Sequence, residues 1–291
     1  MISELHNLPA PAKLNLFLHV TGRRPDGYHL LETVFELIDL ADLVDLRVRD
    51  DAQITLRTPL PGVPPEADLT VRAARLLAAE ARCALGVEIA LRKTIPIGGG
   101  LGGGSSDAAT VLIGLNRLWS LGWDRDRLAG LAIRLGADVP AFMFGRTAYA
   151  TGVGEHLQAL SLPARHYVIV APQVSVATAE IFAAPELTRN TKPLKIRGLS
   201  RGRRVFRGRN DLQPVVIERF APVAAALLAL RQAAEESDID PRLARMSGSG
   251  ACVFLPVDSE GKASQVRQGL SVRVQGKVFV ARSLARHPLR D

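Results

Sequence analysis

Residues 96–109 read PIGGGLGGGSSDAA, six glycines in seven positions followed at once by helix-forming sequence. A strand, a run of glycines and then a helix start leave backbone N–H groups pointing out of the loop. The helix dipole adds roughly half a positive charge at that end. Glycine permits positive φ and lets the main chain come close to ligand oxygens. The hydroxyls of Ser105 and Ser106 can donate to phosphate or hold a metal-bound water. Three motifs have to be separated. A P-loop needs Gly-Lys followed by Ser or Thr, and no lysine lies in or just after the cluster. The dinucleotide pattern G-x-G-x-x-G matches at Gly98, Gly100 and Gly103, but so glycine-dense a segment satisfies many patterns by accident. The strand before it alternates Val87, Ile89 and Leu91 with Glu88, Ala90 and Arg92, whereas a central parallel strand is almost continuously apolar. No acidic residue closes a strand about twenty positions later. A loop with a purely structural role is the plain alternative, and it would carry the entropic cost of six glycines with no ligand to offset it.

The flanking sequence gives the loop its context. KLNLFLHV (13–20) alternates, with Leu14, Leu16, Leu18 and Val20 on one face and Lys13, Asn15, Phe17 and His19 on the other, the period of a half-buried strand. TVFELIDLADLVDLRVRD and QITLR read as further antiparallel strands. Leu69, Ala73, Leu76, Leu77 and Ala81 predict a helix over 68–83, and VEIALRK a strand leading into the glycines. Beyond them Ala108, Val111, Leu112, Leu115, Leu118 and Trp119 recur at helical steps, with Ser105, Ser106 or Asp107 as N-cap and Gly122 as the stop. A helix over 124–135 closed by Gly136 leaves Asp138 on a loop. TAYATGVGE returns as a strand, and 152–156 is the candidate boundary between a first lobe, 1–154, and a second, 155–291. The second lobe offers a strand at HYVIVAP, one helix over about 212–234, a second glycine turn in SGSGACVFLPV and a last strand at KVFVARSL. The pattern is α+β with mostly antiparallel strands.

At 291 residues, 47% hydrophobic and 23% charged, the chain has the usage of an ordinary globular protein with room for two cores. Cys83 and Cys252 are far apart among apolar neighbours, which suits buried thiols in a reducing compartment and spells no metal site. The N-terminal segment lacks a basic stretch followed by an apolar one, and FAPVAAALLAL is too short to span a bilayer; a cytoplasmic protein with no membrane partner is expected. The net charge of +8 is concentrated in 189–209, which holds nine Lys or Arg and no acidic residue. With Phe206 as its one aromatic and with Pro and Gly inside it, the run lacks a stacking platform and does not form a groove-reading helix, so no nucleic-acid partner is expected. It reads either as a solvated loop or as a flap that attracts a phosphorylated ligand.

PIGGGLGGGSSDAA resembles the phosphate loop of the galactokinase, homoserine kinase, mevalonate kinase and phosphomevalonate kinase (GHMP) superfamily, whose signature is Pro, then glycines, then Gly-Leu-Gly and Ser-Ser-Ala. PAKLNLFLHVTGRRPDGYHLLETVF, LGADVPAFMFG, RNDLQPVV and MSGSGACVF extend the resemblance, in order and over most of the chain, toward members acting on a cytidine diphosphate-linked methylerythritol. It implies a two-lobed α+β fold whose first lobe is similar to ribosomal protein S5 domain 2, with ATP and Mg²⁺ as cofactors and a small molecule as acceptor. By resemblance Asp138 is the general base and Lys13 polarises the acceptor hydroxyl. The nucleotide falls to Lys93 and to the loop Pro96, Ile97, Gly98, Gly99, Gly100, Leu101, Gly102, Gly103, Gly104, Ser105 and Ser106. Asn15 matches a contact to the methylerythritol unit. Tyr28 and His29 in DGYH match a cytosine site, where the one stacks and the other reads the base edge, and Thr178 and Phe182 match second-lobe contacts. Residues 247–250 are Ser-Gly-Ser-Gly where Ser-Gly-Thr-Gly is commoner, which keeps the hydroxyl, and this turn is expected to pack on the phosphate loop. Within the superfamily a homoserine or mevalonate kinase is the rival, against which DGYH argues; a nucleic-acid binder driven by the basic run is the rival from another class.

Overall fold

The computed structural model describes residues 2–60, 62–194, 208–270 and 273–290. Most of the basic run, 195–207, lies outside the described residues.

Two very long strands, β1 (Glu4–Arg23) and β2 (His29–Arg49), pair antiparallel over almost their whole length and form the spine. β2 also pairs with β4 (Gly86–Arg92) and β5 (Ala148–Thr151), while β3 (Ile54–Leu56) and β6 (His156–Ala159) close the edges of a six-stranded sheet. QITLR departs from expectation: β3 runs parallel to β4, because α1 (Leu69–Ala81) carries the chain back between them. Residues 152–155 form the turn of the β5–β6 hairpin, so the first sheet continues to Ala159. α1, α2 (Gly103–Leu118), α3 (Arg125–Leu135) and α4 (Val139–Phe144) supply the apolar partners of this sheet, with Leu46, Leu77, Val111 and Phe142 in one buried cluster. A four-stranded antiparallel sheet follows, with β8 (Arg245–Met246), β9 (Val253–Val257), β7 (His166–Pro172) and β10 (Gly276–Arg282) side by side. It packs with α5 (Thr178–Ala183), α6 (Gln213–Arg219), α7 (Ala221–Glu235) and α8 (Glu260–Leu270) around a second core.

The single helix expected over 212–234 is two, bent by 115° at Phe220. Pro222 sits in the first turn of α7: it has no N–H to give to the Glu218 carbonyl and its ring would clash with that carbonyl in a continuous helix, so α6 ends before it. Among the described residues no single helix is long and apolar enough to cross a membrane. Both cysteines are free thiols, and burial pushes that of Cys252 up to about 12.

β1 is not half-buried. Residues 10–20 are covered on both faces: Leu14 and Leu16 enter a core shared with Tyr167, Ile169 and Phe254, and a register shift between Asn15 and Leu18 turns Phe17 into the same core and Leu18 and Val20 into the second one. The two sheets are therefore joined by β1 itself. Within this junction the Tyr167 hydroxyl donates to the carboxylate of Glu36, which is 2% exposed. Burial pushes the Glu36 carboxyl up to about 7 from 4.5, against the opposing pull of the Tyr167 hydrogen bond and the Arg165 charge. Between those values the folded state binds more protons than the unfolded chain, so stability falls as pH rises through this window. Glu36→Gln is expected to lose about 2–3 kcal/mol less stability between pH 5 and pH 8 than the parent, at roughly 1.4 kcal/mol per unit of displacement. Urea midpoints at the two pH values test this, and parallel curves for parent and variant would contradict it.

Candidate active site

The head of α2 is made by the glycines themselves. The helix begins at Gly103 behind Gly102 at φ 74°, with no side-chain cap, so the serines are not the N-cap but lie inside the first turn. The first intrahelical bond runs from Ser106 N to Gly102 O, and the amides of Gly103, Gly104 and Ser105 have no acceptor within the helix. The hydroxyl-free start differs from expectation for a steric reason. Gly98, Gly100 and Gly102 alternate in left-handed φ, where a side chain is strained. A Cβ on Gly100 would lie 2.2 Å from the Ser247 carbonyl oxygen, and one on Gly102 would lie 2.7 Å from the Phe142 ring. The glycines serve the second lobe as well as any ligand. The turn at 247–250 docks on them as expected: Ala251 N donates to Gly98 O at 3.3 Å, Cys252 N to Gly99 O at 3.1 Å, and Ser247 Oγ to Gly100 O at 3.1 Å.

A cleft of about 470 Å³ opens beside this junction, between the two sheets and their helices. Its floor includes Lys13, whose side chain is 3% exposed. The ammonium donates to Gly100 O at 2.9 Å and to Asn15 Oδ1, lies 5.6 Å from the centre of the Phe35 ring, and stands 3.5 Å from Asp138 Oδ2. Asp138, 39% exposed, faces the same cleft. It is not on an open loop: it occupies the turn between α3 and the unforeseen α4, at the N-cap position of that helix, but without spending its carboxylate on a cap bond. Pro140 in the first turn and Gly145 at the end account for so short a helix. Asn15 is tied down on both sides, accepting from Lys13 and donating to Thr33 Oγ1 at 2.9 Å, and its backbone N–H donates to Ser247 Oγ at 3.2 Å.

The structure brings most of the residues singled out in the sequence to this one cleft. Pro96, Ile97 and the glycines from 98 to 104, together with Ser105, Lys93, Thr178 and Phe182, line it. Leu101 does not: at 1% exposure it is a core side chain. Ser106 is fully buried, and its Oγ has no partner. Tyr28 is 64% exposed, held in a turn by a bond from its N–H to Asp26 Oδ1 and by its carbonyl, which accepts from Arg24 N. The His29 ring lies against that of Phe182, with centroids 5.0 Å apart and the planes tilted by 35°. Thr178 Oγ1 and Ser249 Oγ share a hydrogen bond of 2.7 Å across the mouth of the glycine turn.

Lys93 is less free than a bare cation beside a nucleotide. Its ammonium sits 2.5 Å from both Asp42 Oδ2 and Asp107 Oδ2, while Asp42 Oδ1 accepts from the amides of Thr94 and Ile95. Burial, set against the Lys93 charge, raises the Asp107 carboxyl to about 7, with Asp42 adding to the upward push. Asp107, an N-cap candidate in the sequence, instead lies inside the first two turns of α2 and spends its carboxylate on Lys93; nothing in the local sequence of Asp42 distinguishes it from a surface carboxylate. Ser247, in the turn expected to pack on the glycine loop, also accepts from Asn15 N, while Thr33, which accepts from the Asn15 amide, has no local sequence pattern that marks it.

The models for the GHMP kinases N terminal domain and GHMP kinases C terminal match residues 68–146 and 199–273. The chain belongs to the GHMP kinase family and, within it, to the 4-diphosphocytidyl-2-C-methyl-D-erythritol kinases. It is 58% identical to the 4-diphosphocytidyl-2-C-methyl-D-erythritol kinase of Thiobacillus denitrificans, over 97% of each chain. It is 53% identical to that of Chromobacterium violaceum, over 100% of this chain and 99% of the relative. A crystal structure of a 4-(cytidine 5'-diphospho)-2C-methyl-D-erythritol kinase superposes with a TM-score of 0.76 at 34% identity, covering 96% of this chain and 98% of that one. The homoserine kinase of Cytophaga hutchinsonii, at 17% identity and a TM-score of 0.72 over 99% and 96% of the chains, shares the fold.

Gly100→Ala places a Cβ against a backbone oxygen that cannot move away and forces a strained φ. Calorimetric titration is expected to show ATP affinity lowered at least about tenfold, since uncoupling the lobes displaces the free amides at the head of α2, which suit phosphate. Parental affinity in this variant would contradict the account.

Proposed function

We propose that this chain transfers the γ-phosphoryl group of ATP to the 2-hydroxyl of 4-diphosphocytidyl-2-C-methyl-D-erythritol, giving the 2-phosphate and ADP. The observation that carries the proposal is the 3.5 Å pair of Lys13 and Asp138 at the floor of a cleft whose other wall is the uncapped head of α2. Phosphoryl transfer asks the protein for positioning and charge stabilisation more than for covalent chemistry. The unspent amides of 103–105 and the dipole of a sixteen-residue helix suit the β- and γ-phosphates. The acceptor oxygen then lies beside Asp138, which takes the hydroxyl proton as the oxygen's electron pair attacks phosphorus, and the pair of the breaking P–O bond leaves with ADP. Lys13, held rigidly by Gly100 O and Asn15 Oδ1, keeps a positive charge next to the developing oxyanion without reorganising.

Among the described residues there is no group of three or more His, Cys, Asp or Glu that could hold a metal ion. A metal in this site would therefore be bound chiefly by the substrate's own phosphates, as Mg²⁺ commonly is. The hydroxyl of Ser105 on the cleft wall is the protein oxygen that would hold such an ion, with the unpartnered Ser106 Oγ and Asp107 Oδ1 buried behind it at the head of α2. When bound, Mg²⁺ would supply neutralisation of phosphate charge. Tyr28, His29 and Phe182 would take the cytosine, with Thr178 as a further second-lobe contact, and Lys93, already paired with two carboxylates, would shape the nucleotide side rather than donate a free charge. The reading places the enzyme in the cytoplasm, which the two free thiols suit.

Asp138→Asn is expected to lower kcat by about 10²–10⁴ with ATP affinity intact, since the amide cannot accept the proton. A coupled assay of ADP release with the cytidyl acceptor, alongside nucleotide titration, measures both. A fully active, folded Asp138→Asn enzyme would remove the carboxylate from this role.

A further inference from the structure

Arg189 opens the basic run, yet it is not a solvated loop residue. Its guanidinium closes the end of α5, with Nη2 donating to Phe182 O at 3.1 Å and Ala184 O at 2.6 Å, and Nη1 to Leu187 O at 3.1 Å. Its remaining direction is used on a side chain: Nε donates to His29 Nε2 at 3.0 Å. A guanidinium has only donors and does not lose its proton in a protein. The ring nitrogen that faces it must therefore be the bare acceptor, and in a neutral imidazole the proton then sits on the other nitrogen, Nδ1. The ring is held neutral, because burial, then the charges of Arg189 and Arg23, keep His29 below the usual imidazole value. Among the described residues Nδ1 has no hydrogen-bond acceptor. The same guanidinium thus fixes the hydrogen-bonding sense of His29 and the backbone of Phe182, whose ring lies tilted against it.

We propose that Arg189 is a positioning residue that locks His29 as the Nδ1–H tautomer and so makes the site select cytosine over uracil. The proposal rests on the reading that His29 meets the base edge of a cytidyl acceptor. Cytosine presents N3 as an acceptor, whereas uracil carries a proton there, so a fixed donor on His29 pairs with the first and opposes the second. A donor that could switch tautomer would accept from uracil N3–H instead and lose the distinction. Sites built to pair with one polar group reject an analogue lacking it far more strongly than apolar pockets reject a changed methylene.

The test compares the cytidine- and uridine-linked acceptors with the parent enzyme and with Arg189→Met. The parent is expected to favour the cytidine compound by at least about a hundredfold in kcat/KM. In the variant that ratio should fall at least about tenfold, through KM for the acceptors, with kcat and KM for ATP unchanged. A merely structural role would weaken both acceptors equally. A folded variant that keeps the parental ratio overturns the tautomer lock while leaving the kinase reading in place; a parent indifferent to the base overturns the cytosine reading and this inference with it. Because Arg189 also ties down carbonyls, ¹⁵N NMR of the parent with labelled histidine supplies a test that needs no variant. Protonated Nδ1 with bare Nε2 on His29 is expected at neutral pH, and a proton on Nε2 overturns the proposal.

Discussion

A buried ammonium organises this molecule. Lys13 lies in the middle of the longest strand pair, almost wholly out of water, and an unpaired charge in that position would be expensive. It meets one group from each part of the structure that must converge: it donates to Asn15 on its own strand and to Gly100 of the glycine loop, and pairs with Asp138 in the turn before α4. Its own backbone N–H donates to Leu101 O at 3.0 Å, so main chain and side chain both hold the glycine loop against β1. A Cβ on Gly248 would approach the ammonium to 3.3 Å, which puts the second lobe's glycine turn within the same contact. One cation therefore fixes the spacing of the glycine loop, the carboxylate and the opposite lobe.

That arrangement explains why the glycines are arranged as they are. Half of the loop's backbone faces the cleft at the head of α2, and the other half accepts hydrogen bonds from 251 and 252 and a hydroxyl from Ser247. The carbonyls spent on the second lobe, those of 98–100, come directly before the amides of 103–105 that have no acceptor within the helix. A Cβ on Gly98, Gly99, Gly100 or Gly102 would lie within 2.7 Å of a neighbouring atom, so side chains are not tolerated at these four positions. The dipole of α2, the Lys13 charge and the Asp138 carboxylate then act in a narrow space between two sheets, where electrostatic interactions are stronger than in bulk water.

The parts of this picture that a reader of the sequence could see were those with a local signature. The glycine run, the alternation that sets Lys13 and Asn15 on one face, and the helical steps after Ala108 are short-range patterns, and the structure has all three. The parts that were hidden depend on partners far away in the chain. Glu36 meets Tyr167, Lys93 meets Asp42 and Asp107, and Arg189 meets His29 across 160 residues; none of these side chains carries a pattern that announces its partner. The direction of β3 was hidden for a related reason, since three residues have no period from which to read whether they run with or against a neighbour. The full burial of β1 was concealed by a register shift, which changes the facing of side chains without changing the sequence pattern that precedes it. The break between α6 and α7 had a local cause in Pro222, and apolar spacing alone overrode it in the reading of one helix.

The central claim is that the acceptor hydroxyl and the terminal phosphate meet between Asp138 and the head of α2, with the Lys13 ammonium beside them. A crystal structure of the enzyme with a nonhydrolysable ATP analogue and the cytidyl acceptor tests it most directly. The account predicts the γ-phosphate on the amides of 103–105 and the 2-hydroxyl within hydrogen-bond reach of the Asp138 carboxylate. A nucleotide bound away from the glycine loop, or an acceptor whose 2-hydroxyl points away from Asp138 with the phosphates in place, would contradict it.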